Sequence, residues 1–207
     1  MKAVAFDLDG CLIDSLGAIV PSMRLAIGTH KLPVPDDGEL ATLIGPPLTL
    51  GVMELLDVSL VTARSIVQAY RADYREHMLE RTTLMPGVET AVRAIGAVRP
   101  LCVVTSKPAL LAIPILEHLG LYDAFAFVEG PSLATETETK DITLRRAMGR
   151  VGAEIEVIVG DRHHDIDAGR ACGIRTVGVL WGMGDAAELK GADHVVATPD
   201  ELTALLT

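Results

Sequence analysis

The sequence predicts an α/β protein: an open, mostly parallel sheet flanked by helices, with an all-helical segment inserted after the first strand. Three observations carry this. Short apolar runs recur along the chain with helical periodicity between them, the alternation of a parallel sheet. Several runs are apolar almost throughout, as strands covered on both faces are. The rhythm breaks between residues 15 and about 84, where no convincing strand occurs.

The strand candidates are VAF near residue 4, LCVVTS at 101–106, AFAFVEG at 124–130, EVIVGD at 156–161, TVGVLW at 176–181 and HVVA at 194–197. Inside the insert, PSMRLAIGTHKLPVPDDGELATLIGPPL reads as helix, Pro/Gly-rich turn and helix, and SLVTARSIVQAYRADYREHMLER as one or two helices. Pro86-Gly87 punctuates the return to the α/β pattern. Val88, Ala91, Val92 and Ile95 share a helix face, and so do Leu144, Ala147, Met148 and Val151. A further helix over 108–119 opens at Pro108 and closes at Gly120. Pro114 within it predicts a kink or a late start. The expected organisation is a core of residues 1–14 plus 85–207 and a helical cap of residues 15–84.

Composition narrows the partners. The formal net charge of −10 over 207 residues repels nucleic-acid backbone and anionic lipid, so neither is expected as a partner. Cys11, Cys102 and Cys172 form no CxxC pair, which fits a reducing compartment. The N-terminus meets Asp7 too early for a signal peptide, and no apolar stretch reaches membrane-spanning length. The expectation is a cytoplasmic protein, monomer or homodimer.

In FDLDG, at positions 6–10, two carboxylates close an apolar strand, and burial gives no reason for them. Ligands of open α/β sheets bind beyond the carboxyl ends of the strands. Asp7 and Asp9 lie there, as do Thr105-Ser106-Lys107 after LCVV and Asp161 and Asp165 after EVIVG; Lys140 heads a helix. Converging, the four aspartates carry a formal −4, costly at low local dielectric. Lys140 offsets one charge and a divalent cation two more, and protonating one Asp completes neutrality. Mg²⁺ suits such hard oxygen ligands and shares its shell with phosphate. One carboxylate of the opening pair then serves as nucleophile on phosphorus, and its neighbour as acid and base. Thr105 and nearby backbone N–H groups, with Gly10 and Ser106 among the candidates, and Lys140 would hold the phosphoryl oxygens.

DLDGCLIDS, VVTSK, Lys140 and VGDRHHDIDAG resemble the four ordered motifs of the haloacid-dehalogenase superfamily, over essentially the whole chain. That resemblance implies a Rossmann-like core with a cap inserted after the first motif. It makes Asp7 the nucleophile and Asp9 the acid/base, whose backbone carbonyl also touches Mg²⁺. It further makes Thr105 a phosphate ligand, Lys140 the charge-balancing lysine, Asp161 a metal ligand and Asp165 a supporter of the metal. TSKPALLAIPILEHLGL, TVGVLWGMG and LIGPPL are similar to the phosphoglycolate-phosphatase-like branch. The family's lysine is often followed by Pro; here Asp141 follows Lys140, which leaves Lys107 as a rival.

Each residue also has a plainer reading. A lone DxD is better taken as a solvated turn or a helix cap, and Thr105, Ser106, Asp161 and Asp165 can all cap helices. His163-His164-Asp165 suggests a second metal site, yet adjacent histidines diverge, so exposed turn residues are expected. The cysteines read as core fillers. In the cap, Arg71, Tyr74 and Arg75 fit a solvated helix face or a substrate contact, and Gly45-Pro46-Pro47 a rigid turn able to close over a small ligand. The expected activity is Mg²⁺-dependent hydrolysis of a small phosphate ester through an aspartyl-phosphate. Phosphoglycolate is the first substrate by resemblance and a nucleoside monophosphate the second. A phosphomutase, a dehalogenase and a non-catalytic phospho-receiver remain alternatives.

Overall fold

The structure, a computed structural model, describes residues 2–135, 137–150 and 154–207. Val151, placed on a helix face by its spacing, lies outside them. The chain opens with β1 (Ala3–Phe6) and a two-residue strand β2 (Ile13–Asp14). Four helices follow: α1 (Leu16–Thr29), α2 (Asp37–Ala41), α3 (Leu48–Leu56) and α4 (Leu60–His77). Then come β3 (Thr83–Leu84), α5 (Val88–Gly96), β4 (Leu101–Val104), α6 (Ala109–His118) and β5 (Val128–Glu129). The chain finishes with α7 (Lys140–Met148), β6 (Ile155–Gly160), α8 (His163–Cys172), β7 (Arg175–Val179), β8 (His194–Val196) and α9 (Pro199–Leu206).

Six strands form one parallel sheet in the order β5-β4-β1-β6-β7-β8. Alternate side chains of its central strands feed two cores. Ala3, Ala5, Cys102, Val104 and Ile158 pack with Leu144, Ala147 and Ala168 of α7 and α8 on one face. Val4, Phe6, Leu101, Val103, Val157 and Val159 belong to a larger cluster with residues of α5, α6 and α9 on the other. Both faces are therefore dry, which is why these strands read as continuous apolar runs.

Three expectations need correction. AFAFVEG yields only Val128–Glu129 as strand, preceded by a single 3₁₀ turn at Tyr122–Ala124, because this edge strand pairs on one side alone. The insert contains a strand after all: Thr83–Leu84 pairs antiparallel with Ile13–Asp14, so the chain leaves and re-enters the core through one short ribbon. Of the two outcomes expected of Pro114, the late start does not occur: its helix begins at Ala109. The first insert helix likewise begins at Leu16, five residues before Pro21, and runs through it. Sequence cues hold elsewhere. Asp36 and Glu39 make a reciprocal capping box on α2, Ser59 caps α4, and Gly120 at φ +68° follows α6.

Candidate active site

The sheet order brings the chemistry together. β4, β1 and β6 are neighbours, so the residues just past them, Thr105, Asp7 and Asp161, emerge side by side where the strand order reverses. The Asp7 N–H donates to the Val159 carbonyl at 2.8 Å, fixing the start of the loop after β1 to its neighbour. That loop turns at Gly10, with φ +85°. A Cβ there would sit 2.2 Å from Asp161 Oδ2. Only glycine lets the loop pass so close to the second acidic cluster.

Asp7, Asp161 and Asp165 each bring a carboxylate oxygen within 4.8 Å of the others, all buried. Lys140 Nζ lies 2.7 Å from Asp7 Oδ1 and 2.5 Å from Asp165 Oδ1. The other Asp165 oxygen accepts the Arg162 N–H at 3.1 Å, so this residue caps α8 while holding the lysine. Asp161 Oδ2 accepts the Met183 N–H at 2.8 Å, whereas its Oδ1 is buried with no hydrogen-bond partner. Burial, with Asp165 and Asp161 alongside, pushes the Asp7 carboxyl up to about 8 despite Lys140. Burial and Asp165 likewise push Asp161 up to about 7. An orphaned buried carboxylate oxygen beside two more hard oxygen donors fits a divalent cation, which would satisfy that oxygen and relieve the crowding.

Asp9 stands apart from this cluster. Its Oδ1 accepts from Ser15 Oγ at 2.5 Å and from Lys107 Nζ at 2.7 Å, and its Oδ2 lies 2.9 Å from the same ammonium. Lys107 rests 5.1 Å from the centroid of the Tyr74 ring, which stacks on Tyr70 at 5.3 Å. Although burial favours the neutral amine, Asp9 raises the Lys107 pKa and keeps it charged. The rivalry between Lys107 and Lys140 therefore has an unexpected outcome: both lysines are in the site, Lys107 on Asp9 and Lys140 between Asp7 and Asp165. Four carboxylates against two ammonium groups leave a formal −2, which one divalent cation cancels without protonating an Asp.

Other residues behave differently from their simplest expectation. The Gly10 N–H, a candidate phosphate donor, is taken by the Ile13 carbonyl at 2.9 Å, so the part Gly10 plays here is conformational. Thr105 does not cap α6; its Oγ1 accepts the Lys107 N–H at 3.0 Å and shapes the turn that presents both side chains. Thr105 and Ser106 line a cavity of about 90 Å³ with Asp7, Asp9 and Lys140. Its opposite wall comes from the insert: Leu43, Ile44, the Gly45-Pro46-Pro47 turn, Tyr70 and Arg71. Arg75 points to solvent instead. His163 and His164 are half-buried rather than exposed, with ring centroids 3.8 Å apart, and His164 lines the cavity. Among the described residues they belong to no group of three that could hold a metal ion.

Sequence reasoning passed over Ser15, Gly182 and Met183. A Cβ on Gly182 would lie 2.4 Å from Asp161 Cβ, so glycine is required where the loop after β7 folds over the aspartate. The WGMG stretch was the available signal, two glycines flanking an apolar residue at the end of a strand.

Fold and site define a class: a parallel α/β core with an acidic cluster at the strand ends and a helical insert after the first strand. The profile of the haloacid dehalogenase-like hydrolase family matches residues 4–179, and the chain belongs to that family. It is 38% identical to the tyrosine-protein kinase PtkA of Mycobacterium tuberculosis, over 97% of this chain and 71% of that protein. It is 32% identical to the phosphoglycolate phosphatase of Chromobacterium violaceum, over 100% of this chain and 96% of that one. Among solved structures, a predicted phosphatase from Clostridium acetobutylicum superimposes with a TM-score of 0.92 at 30% identity, covering 99% of this chain and 97% of that one. Among the described residues, no helix is long and apolar enough to cross a membrane.

Proposed function

We propose that the protein is a Mg²⁺-dependent phosphatase that hydrolyses a small phosphate monoester through an aspartyl-phosphate on Asp7, with residues 15–84 acting as its cap. The observation that carries this is the orphaned Asp161 Oδ1 beside Asp7 and Asp165, in a cluster whose charge lacks one divalent cation. Asp7, Asp161 and Asp165 would hold the cation, with the Asp9 carbonyl as a further ligand. Bound there, it would supply charge neutralisation for the phosphoryl oxygens and keep Asp7 ionised.

Asp7 is positioned to attack phosphorus, because its loop is pinned to β6 while one of its oxygens is oriented by Lys140. Thr105 and Lys140 offer donors to the phosphoryl oxygens. Asp9, taking up one proton from solvent as the anionic ester binds, passes it to the departing alkoxide and then takes a proton from the water that cleaves the acyl-phosphate, returning Asp7 as carboxylate. Ser15 and Lys107 hold Asp9 for that exchange. The apolar wall of the cap excludes bulk water while the intermediate exists.

The cavity favours a small substrate. About 90 Å³ falls well short of the roughly 300–1,000 Å³ of pockets that enclose drug-sized ligands. Phosphoglycolate, the substrate in the name of the Chromobacterium relative, is of the right scale; a nucleotide requires the cap to open further. The kinase activity in the name of the mycobacterial relative would need the phosphoryl group to pass to a tyrosine instead of water. Purified protein with Mg²⁺ is expected to release phosphate from phosphoglycolate and from a generic ester such as p-nitrophenyl phosphate, and Asp7→Asn to abolish both. Release that survives this change, or that needs no divalent cation, rejects the proposal.

A further inference from the structure

The Arg162-His163-His164 run has no part in the chemistry above, yet it connects the two walls of the cavity. Arg162 directly follows Asp161, and its Nη1 donates to the Ile44 carbonyl of the insert at 3.0 Å. Its Nε donates to Glu188 Oε1 at 2.7 Å. The same Glu188 oxygen accepts the His163 N–H at 3.1 Å and lies 2.6 Å from His163 Nδ1. Burial would raise the Glu188 carboxyl, but these bonds hold it down at about 2. The anchor is thus charged throughout the working range.

The turn that Arg162 grips is shaped to sit where it does. Gly45 has φ +112°, a conformation open to glycine alone in practice, and a Cβ there would come within 3.0 Å of His164 Cδ2. The turn therefore rests on the imidazole. On the far side of the cavity Arg71 of α4 makes the converse tie, donating to the Leu133 carbonyl of the core at 2.9 Å. A guanidinium bridging a carboxylate and a carbonyl is a rigid connector, because its donors are fixed in one plane.

We infer that Arg162, anchored by Glu188, is a positioning residue that holds the 44–47 turn closed over the phosphoryl pocket, and that this closure selects substrates by the size of the leaving group. The selection rests on the phosphatase reading; the closure itself does not. A side chain adjacent to a metal-site aspartate thereby sets the position of a loop more than a hundred residues away in sequence, and substrate choice is shared between core and insert.

The test compares wild type with Arg162→Gln and Glu188→Gln, each checked for a cooperative melt. Hydrogen exchange at the backbone amides of residues 43–50 reads the closure without any turnover. Both variants are expected to exchange there faster by about tenfold or more, with the core strands unaltered. In steady-state kinetics with phosphoglycolate and the bulkier p-nitrophenyl phosphate, the KM for the small ester is expected to rise about fivefold or more while kcat changes less than about threefold, so discrimination by size falls. Unaltered exchange in both variants overturns the inference. So does an equal loss of kcat on both esters at constant KM, which would put Arg162 at the reacting atoms. Wild-type protein inactive on every ester would sink the phosphatase reading, while the exchange measurement would still decide the closure.

Discussion

Lys107 Nζ lies within 2.9 Å of both carboxylate oxygens of Asp9, while Lys140 lies 2.7 Å from Asp7, so each carboxylate of the opening pair has its own cation. This separation assigns different duties to two lysines of the same charge. In the proposed mechanism Lys107 orients Asp9 as acid/base, and Lys140 compensates Asp7 as nucleophile together with Asp165. Lys107→Met is expected to lower kcat by about 10²-fold, the lower end of what acid–base assistance contributes, with half-maximal Mg²⁺ activation little changed. Lys140→Met is expected to shift the Mg²⁺ dependence as well. Magnesium titrations of activity separate the two, and indistinguishable shifts would break the assignment.

In the proposed metal site, protons and the cation would compete for the same oxygens. With Asp7 raised to about 8 and Asp161 to about 7, the metal-free site holds protons at neutral pH that a bound cation must displace. Affinity for Mg²⁺ should therefore weaken as pH falls from about 8.5 to about 6, with proton release on binding. Titration calorimetry in buffers of different ionisation enthalpy measures both.

The same shifts carry a stability sign. Both folded-state values lie above the ordinary 3.8, so stability is fully present below about pH 4 and is lost as pH rises through 7 and 8, where buried charge must form. Chelator-treated protein is expected to melt at lower temperature at pH 8.5 than at pH 6, and the rise in Tm on adding Mg²⁺ to be larger at the higher pH. A Tm gain independent of pH would contradict the siting of the ion among these carboxylates.

Gly10→Ala attacks the site through geometry alone. Its methyl would lie 2.2 Å from Asp161 Oδ2, and its φ of +85° is strained for any other residue. The strain costs about 1–3 kcal/mol, equivalent to a loss of roughly 2–4 °C in Tm for each kcal/mol in a chain of this size. Mg²⁺ activation should fall with it, since Asp161 must move. Gly173→Ala is the control: it also has positive φ, but nothing within 4 Å of a Cβ, so it should lose stability and keep its metal response.

Much of this architecture was legible because its signals are local. Strands buried on both faces read as apolar runs, and ligand placement at strand ends follows from topology, so Asp7, Thr105 and Asp161 could be grouped before their neighbours were seen. The ribbon of Ile13–Asp14 and Thr83–Leu84 was missed since two residues carry no periodicity. The division of labour between Lys107 and Lys140 was hidden for another reason. Both lysines suit the charge sum, and only the direction of their side chains, set by the Thr105 turn and the start of α7, tells which carboxylate each meets. The Glu188 anchor was invisible because nothing near it in sequence marks it as a partner of Arg162.

The ribbon has an evolutionary consequence. Ile13 is paired with Leu84 and Asp14 with Thr83, so the points where the helical segment departs and returns lie side by side, about 5 Å apart. A replacement of any length fits that doorway if its two ends meet, and no strand of the six-stranded sheet has to shift to admit it. Lineages can then exchange the helical segment wholesale while the carboxylates stay where they are.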